Sequence, residues 1–181
     1  APNLAAYIVK RAAGSGSATP WHQDTGVLLP SGDQSQILTV WFPLWDATVE
    51  KGCLQVIPQS HRQGLLQHCR RWNGLSIPDQ FLRLAEEVPL PMKRGDVLFM
   101  TQLTCHSSLP NHSEEVRWSF DLRYNPIGQP TGREMFPGFA ARSRKHPESE
   151  LRDPAAWRRL WAQTRDRMAT EEDPAYNRWG T

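Results

Sequence analysis

Short apolar runs recur along the chain and predict strands joined by turns. Each run is rich in Val, Ile, Phe or Trp and is bounded by Pro, Gly or Asp, the usual signature of short strands. Such runs occupy residues 4–10, 36–46, 53–58, 96–101 and 115–124, and shorter candidate strands lie around residues 20–24 and 104–107. Fifteen prolines and 12 glycines break up the chain between them. The pattern therefore predicts a mainly β fold, an antiparallel sandwich or barrel.

Two of these runs distribute their apolar residues differently over the two faces of a strand. QILTVWFPLWD at 36–46 has apolar residues at both odd and even positions, which predicts a strand covered on both faces. EVRWSFDLRY at 115–124 alternates, because successive side chains of a strand point to opposite faces. One face carries Val116, Trp118, Phe120 and Leu122, and the other carries Arg117, Ser119, Asp121 and Arg123. Periodicity alone does not decide whether the polar face is solvated or lines a pocket.

Helical spacing of apolar residues is confined to two segments. Residues 78–87 predict a short surface helix. Asp153 and Pro154 form an N-cap and first-turn pair, and the apolar residues that follow them, among them Trp157 and Trp161, recur at helical spacing to about residue 169. Residues 125–152 have neither period and predict a long ordered loop.

A length of 181 residues corresponds to one domain, so we expect a single domain over residues 1–181. Within it, residues 126–181 are expected to form a loop and a helix that pack on the barrel. The chain begins without Met and enters a strand-like segment almost at once, so we expect it to lack some N-terminal elements of the domain.

The balance of charges gives no electrostatic case for a strongly anionic partner. Lys and Arg total 21 against 19 Asp and Glu, which indicates neither a nucleic-acid nor an anionic-membrane partner. No apolar run approaches the roughly 18 residues that cross a bilayer, so a cytoplasmic location is expected. Three cysteines without CxxC spacing predict free thiols.

The basic segment from Arg142 to Arg167 is more simply a solvated face than a site for a phosphorylated or CoA-linked substrate. Nothing indicates the oligomeric state.

Three residues have the types and spacing of a metal site. His22 and Asp24 in TPWHQDTG are two residues apart, so on an extended segment both side chains leave the same face, roughly 6.6 Å apart. His106 follows a distant strand that a closed β architecture can bring alongside them. Two imidazoles and one carboxylate form the facial triad of non-haem Fe(II) oxygenases, which leaves about three coordination positions open. Alone, the HxD pair is common by chance.

Arg117 lies eleven residues after His106 and suits an acidic co-substrate. An enzyme that binds 2-oxoglutarate to its iron needs a cation for the 5-carboxylate at the far end of the molecule. Arg serves better than Lys, because its planar guanidinium pairs with a carboxylate through two hydrogen bonds.

Four blocks of sequence together resemble the phytanoyl-CoA dioxygenase family of Fe(II) and 2-oxoglutarate oxygenases. The blocks are WHQD at 21–24, VWFPLWDATVEKGCLQVIPQSH at 40–61, RGDVLFM at 94–100 and CHSSLPNHSEEVRWSFDLRY at 105–124. The resemblance covers roughly residues 18–125 and implies a double-stranded β-helix, or jelly roll, with flanking helices.

The resemblance also implies roles and a reaction. It assigns His22, Asp24 and His106 to Fe(II), and Arg117 to the 5-carboxylate of 2-oxoglutarate. Two further residues match positions that help to hold this carboxylate, Ser108 and Trp41. The implied reaction consumes 2-oxoglutarate and O2, releases succinate and CO2, and oxidises a C–H bond of a small or medium-sized organic substrate. Relatives that halogenate carry a small residue in place of the aspartate, so Asp24 favours hydroxylation.

Other histidines are expected to have no part in the metal site. In the family His61 ends a strand outside that site, and Gln59 stands where Gly is usual, which leaves the local turn open. His68, His112 and His146 are expected to be solvated, and Trp157 and Trp161 are expected to pack rather than to bind.

Two other classes of function remain open at this point. A cupin-like isomerase or hydrolase would use the same triad without 2-oxoglutarate and would have no need for a buried cation at Arg117. A binding or regulatory module would keep the fold without turnover. The identity of the substrate is not indicated, since substrate contacts come from variable loops.

Overall fold

The structure is a computed structural model that describes residues 18–71, 74–171 and 178–179 in full and residues 2–10 as backbone. The strands within these residues are β1 (Pro2–Lys10), β2 (Leu38–Pro43), β3 (Leu54–Val56), β4 (Cys69–Arg71), β5 (Gly74–Ser76), β6 (Val88–Leu90), β7 (Leu98–Thr101), β8 (His106–Ser108) and β9 (Arg117–Tyr124). The helix α1 spans Pro154–Met168. Single 3-10 turns lie at Asp24–Val27, Pro30–Gly32, Ser60–Gln63, Asp79–Phe81, Leu84–Glu86 and Pro147–Ser149.

Two antiparallel sheets form the body of the protein. The larger has the order β1-β9-β2-β7 and the smaller the order β6-β3-β8, while β4 and β5 make a separate hairpin. The main core joins the larger sheet to the segment before and within β3, through Trp41, Ala47, Cys53, Leu54 and Met100. The expected jelly-roll fold with a C-terminal helix is thereby confirmed.

Strand β9 turns its polar face toward the interior. Arg117, Ser119, Asp121 and Arg123 are all buried, whereas Trp118 on the opposite face is 40% exposed. β9 lies between β1 and β2 and is therefore not an edge strand. The polar residues of this strand thus belong to the inside of the barrel.

The neighbouring strand β2 is covered on one face by the described residues. Thr39, Trp41 and Pro43 are buried, but Leu38 is 42% exposed and Val40 is half-buried. The expectation of full cover on both faces was therefore wrong for this part of the chain. Together with Trp118, the side chains of Leu38 and Val40 give the larger sheet an apolar outer surface.

The predicted helix at residues 78–87 was wrong. Two separate 3-10 turns occupy this segment, and Leu82 between them is extended, with φ −106° and ψ 142°. So short a segment closes too few hydrogen bonds to compensate for helix nucleation. The structure also contains β4, β5 and β6, each only three residues long, which apolar periodicity did not indicate.

The C-terminal helix begins as predicted. The carboxylate of Asp153 accepts hydrogen bonds from the backbone N–H groups of Ala155 and Ala156, at 2.8 and 3.1 Å. Trp161 lies 5.6 Å from Phe136, ring centre to ring centre, which packs the helix on the long loop before it. Among the described residues no helix has both the length and the apolar character to cross a membrane.

Candidate metal centre

Backbone pairing brings the two distant histidines together. The N–H of His22 donates to the carbonyl of His106 at 2.9 Å, and the N–H of His106 donates back at 3.0 Å. Asp24 lies two residues after His22, at the start of a 3-10 turn. One donor atom from each of the three side chains lies within 4.8 Å of the others, and no other such group of three occurs in the part of the chain that the structure describes. The three predicted ligands therefore converge.

Each imidazole is oriented by a carbonyl two residues before it. Nδ1 of His22 lies 2.9 Å from the Pro20 oxygen, and Nδ1 of His106 lies 2.9 Å from the Thr104 oxygen. These bonds place the proton on Nδ1 and leave Nε2 as the free lone pair. Burial, together with the nearby His106, lowers the pKa of His22 to about 4. His22 is therefore neutral at pH 7, as a metal ligand must be.

The carboxylate of Asp24 is buried and bonded on both oxygens. Thr39 Oγ1 donates to Oδ2, and Arg123 Nη2 donates to Oδ1. Burial alone would raise the pKa of Asp24, but Arg123 and then His106 outweigh it and hold that pKa well below its usual range. Oδ1 also faces Nε2 of His22 at 4.0 Å. Asp24 is thus an ionised oxygen donor directed at the two imidazoles.

A cavity of about 130 Å³ opens beside the triad. It is lined by Thr19, His22, Leu54, His106, Ser107, Asp121 and Arg123. Burial raises the pKa of Asp121 to about 6, against the opposing effect of Arg123, whose Nη1 lies 3.4 Å from Asp121 Oδ1. The cavity therefore joins the triad to the polar face of β9.

Arg117 lies deeper on the same face and is fully buried. Its Nη1 donates to Ser119 Oγ at 2.8 Å, while Nε and Nη2 have no hydrogen-bond partner among the described residues. The guanidinium carbon is 5.3 Å from the centre of the Trp41 ring, and Trp41 Nε1 is also unpartnered in the described chain. Burial lowers the pKa of Arg117 to about 10, so it remains charged at pH 7. A buried cation with two unused donors fits an anion.

Ser108 has a partner of its own. Its Oγ accepts the N–H of Thr19 at 2.9 Å, and its N–H donates to the Thr19 carbonyl at 3.1 Å. Thr19 in turn lines the cavity. Ser108, Trp41 and Arg117 are not among the residues that line this cavity.

His68 was expected to be solvated, and this expectation was wrong. It is 2% exposed, with Nδ1 bonded to the Leu66 carbonyl at 2.9 Å. Its Nε2 accepts the N–H of Gln23, the residue between two of the triad members, at 3.0 Å. Trp179 stacks on the imidazole with ring centres 5.5 Å apart. His68 therefore supports the backbone of the segment that carries His22 and Asp24.

Acid is expected to destabilise the protein through His68. Burial lowers the pKa of His68 to about 4 from an ordinary 6.5, and protonation of Nε2 would remove the acceptor for Gln23. Between pH 6.5 and 4 the unfolded chain then binds a proton that the folded chain excludes, so the free energy of unfolding decreases by up to about 3 kcal/mol as the pH falls. Urea unfolding of wild type and His68→Gln at pH 7.5 and 5 measures the effect. Equal pH dependence in the two proteins would contradict it.

His61 lies outside the metal centre, as expected. It is exposed and does not belong to the triad. Gln59, two residues before it, has φ 60° and ψ 6°, so it adopts the left-handed conformation that Gly favours. His112 and His146 are exposed, also as expected.

The sequence profile of the phytanoyl-CoA dioxygenase family matches residues 3–119, well over half of the chain. The chain belongs to this family. The match contains all three triad residues and Arg117. The resemblance of the four sequence blocks to this family is thereby confirmed.

Named relatives share this region. Phytanoyl-CoA dioxygenase domain-containing protein 1 of Mus musculus is 31% identical over 123 residues, 64% of this chain and 42% of that protein. The 1-deoxypentalenic acid 11-beta-hydroxylase of Streptomyces arenae is 33% identical over 125 residues, 63% of this chain and 43% of that protein. The crystal structure of EvdO2 from Micromonospora carbonacea var. aurantiaca complexed with 2-oxoglutarate has a TM-score of 0.59 at 27% identity, covering 71% of this chain and 55% of that one. This chain thus spans less than half the length of the two named sequence relatives.

Proposed function

We propose that this protein is an Fe(II)- and 2-oxoglutarate-dependent oxygenase that hydroxylates a C–H bond of a small or medium-sized organic substrate. The observation that carries the proposal is the pairing of a triad of two imidazoles and one carboxylate with a buried, incompletely bonded arginine on one inner surface. A triad alone would suit several metal enzymes. The arginine adds a site for an acid.

The triad fits Fe(II) by its donor chemistry. Two imidazole nitrogens and one carboxylate oxygen, with no thiolate, are the ligand set of the non-haem iron oxygenases. His22 and His106 present Nε2 because Nδ1 is bonded elsewhere, and Asp24 is ionised. Iron bound by three protein ligands would supply activation of O2 at its open positions.

Arg117 fits the 5-carboxylate of 2-oxoglutarate. Two guanidinium nitrogens, Nε and Nη2, have no hydrogen-bond partner among the described residues, and the group is backed by the Trp41 ring. A carboxylate there would satisfy the charge and the donors at once. EvdO2, whose fold is similar, has been crystallised with 2-oxoglutarate, which supports the same co-substrate here.

Asp24 also bears on the type of oxidation. By occupying a coordination position it leaves no room for a halide, which favours hydroxylation over halogenation. The similarity to a relative named as a hydroxylase, the 1-deoxypentalenic acid enzyme, supports the same reaction type. The substrate-binding surface must extend beyond the small cavity at the triad, since about 130 Å³ is enough for only a few non-hydrogen atoms.

Anaerobic titration tests the proposal. Fe(II)-loaded protein is titrated with 2-oxoglutarate and followed by the weak visible charge-transfer band of the chelate, and O2 is then admitted and succinate assayed. A band followed by succinate is the expected result. Bound iron without a band would favour the cupin-like metal enzyme instead. A band without succinate would point to a module that binds without turnover.

A further inference from the structure

Arg123 connects the triad to a second buried carboxylate. It extends from the inner face of β9 to Oδ1 of Asp24, 99 residues earlier in the chain, and its other terminal nitrogen faces Asp121. The side chain of Arg123 is 9% exposed and that of Asp121 is 6% exposed. The guanidinium therefore lies between two carboxylates in the interior.

The two groups that hold Asp24 come from directly paired residues. Thr39 on β2 and Arg123 on β9 are opposite each other in the antiparallel register. One bonds Oδ2 of Asp24 and the other bonds Oδ1. A carboxylate held on both oxygens from one rigid pair of strands cannot rotate about its terminal bond without breaking a hydrogen bond.

We propose that Arg123 is a positioning residue that, with Thr39, fixes the Asp24 carboxylate so that Oδ1 is presented to the metal beside both imidazoles. The inference rests on the proposed function, because it takes Asp24 as a metal ligand. Groups that orient metal ligands in this way typically affect metal affinity by about 10- to 100-fold.

A simpler role for Arg123 would be charge compensation, and it makes the opposite prediction. Two buried carboxylates need a nearby cation, which Arg123 supplies. If that were its whole contribution, removing the charge would make the site more negative and would tighten the binding of a divalent metal. Replacement by Lys, which keeps the charge, would leave metal affinity unchanged. Positioning predicts weaker binding in both cases, because Lys lacks the planar fork that reaches both carboxylates.

Mn²⁺ binding separates these roles. The dissociation constant of Mn²⁺ is measured from the electron paramagnetic resonance signal of the free ion, for the full chain and for R123K, R123Q, R123Q/D121N, T39V and D24A. We expect R123K and R123Q to bind about 10- to 100-fold more weakly than wild type, and T39V to move in the same direction. R123Q/D121N, which removes one charge of each sign, is expected to stay as weak as R123Q. Urea unfolding of the metal-free proteins tests whether each variant is folded.

Each outcome bears on the inference. R123K with wild-type affinity, or R123Q with tighter binding that D121N reverses, would overturn it while leaving the triad intact. T39V provides the same test of the paired donors should the Arg123 variants fail to fold. D24A binding Mn²⁺ as tightly as wild type would overturn both this inference and the proposed metal centre.

Discussion

Replacing Arg117 with Met is expected to weaken 2-oxoglutarate binding strongly without destabilising the metal-free protein. The guanidinium is fully buried with Nε and Nη2 unpartnered in the described residues, so its charge opposes folding until a carboxylate neutralises it. Met is an unbranched apolar side chain that can pack on the Trp41 ring. We expect a loss of about 2–5 kcal/mol in co-substrate binding, roughly 30-fold to several thousand-fold. The free energy of unfolding should stay equal or increase by up to about 2 kcal/mol.

The two effects are measured separately. Anaerobic titration of the Fe(II) protein gives the 2-oxoglutarate affinity, and urea unfolding of the metal-free protein gives the stability. Arg158→Met on the exposed surface of α1 is the matched control and should change neither. Unchanged co-substrate affinity in Arg117→Met would remove Arg117 from the binding site. A large loss of stability would mean that Arg117 is mainly a structural residue.

Replacing Gly26 with Ala is expected to be the most destabilising single-methyl change in the segment that carries His22 and Asp24. A Cβ built on Gly26 would lie 2.3 Å from Nε2 and 2.4 Å from Cε1 of His68. His68 cannot withdraw without breaking its bonds to Gln23 and Leu66. Overpacking of this kind costs about 1–3 kcal/mol or more, and it should also weaken metal binding, because Asp24 is two residues away.

A double-mutant cycle isolates the cause of that loss. Urea unfolding is measured for Gly26→Ala, His68→Ala and the double variant. If the clash with the ring is responsible, Gly26→Ala adds little to the destabilisation once the ring is gone. Gly138→Ala, where the nearest heavy atom is 4.0 Å from the new Cβ, should differ little from wild type. Additive effects at Gly26 and His68 would contradict the explanation.

Features determined by neighbours in sequence were predictable. The N-cap of α1 required only Asp153 and the two amides that follow within three residues. The strand character of β9 and the division of its faces followed from alternation over eight residues. Three-residue strands such as Cys69–Arg71, whose side chains are all exposed, carry no apolar signal and were missed for that reason.

Features determined by distant residues were not predictable from the pattern alone. Which face of β9 is buried depends on contacts with residues distant in sequence, such as that of Arg123 with Asp24, 99 residues earlier, and on the cavity at Asp121. His68 was misjudged because its partner, the amide of Gln23, is 45 residues away. The spacing of His68 offers no clue, although His22, His68 and His106 share one arrangement, with Nδ1 bonded to the carbonyl two residues before. In His22 and His106, Nε2 is directed at the other triad residues. In His68, Nε2 accepts the backbone N–H of Gln23.

The polar interior also has a charge balance that bears on the two proposed ligands, a divalent metal ion and 2-oxoglutarate. Asp24, Asp121, Arg117 and Arg123 contribute two negative and two positive formal charges to the inside of the barrel. A divalent cation alone, or a dicarboxylate dianion alone, would leave two uncompensated charges where the dielectric response is weak. Together the two restore neutrality. Each ligand should therefore raise the affinity of the other by the same factor, so that metal and co-substrate bind as a thermodynamically coupled pair.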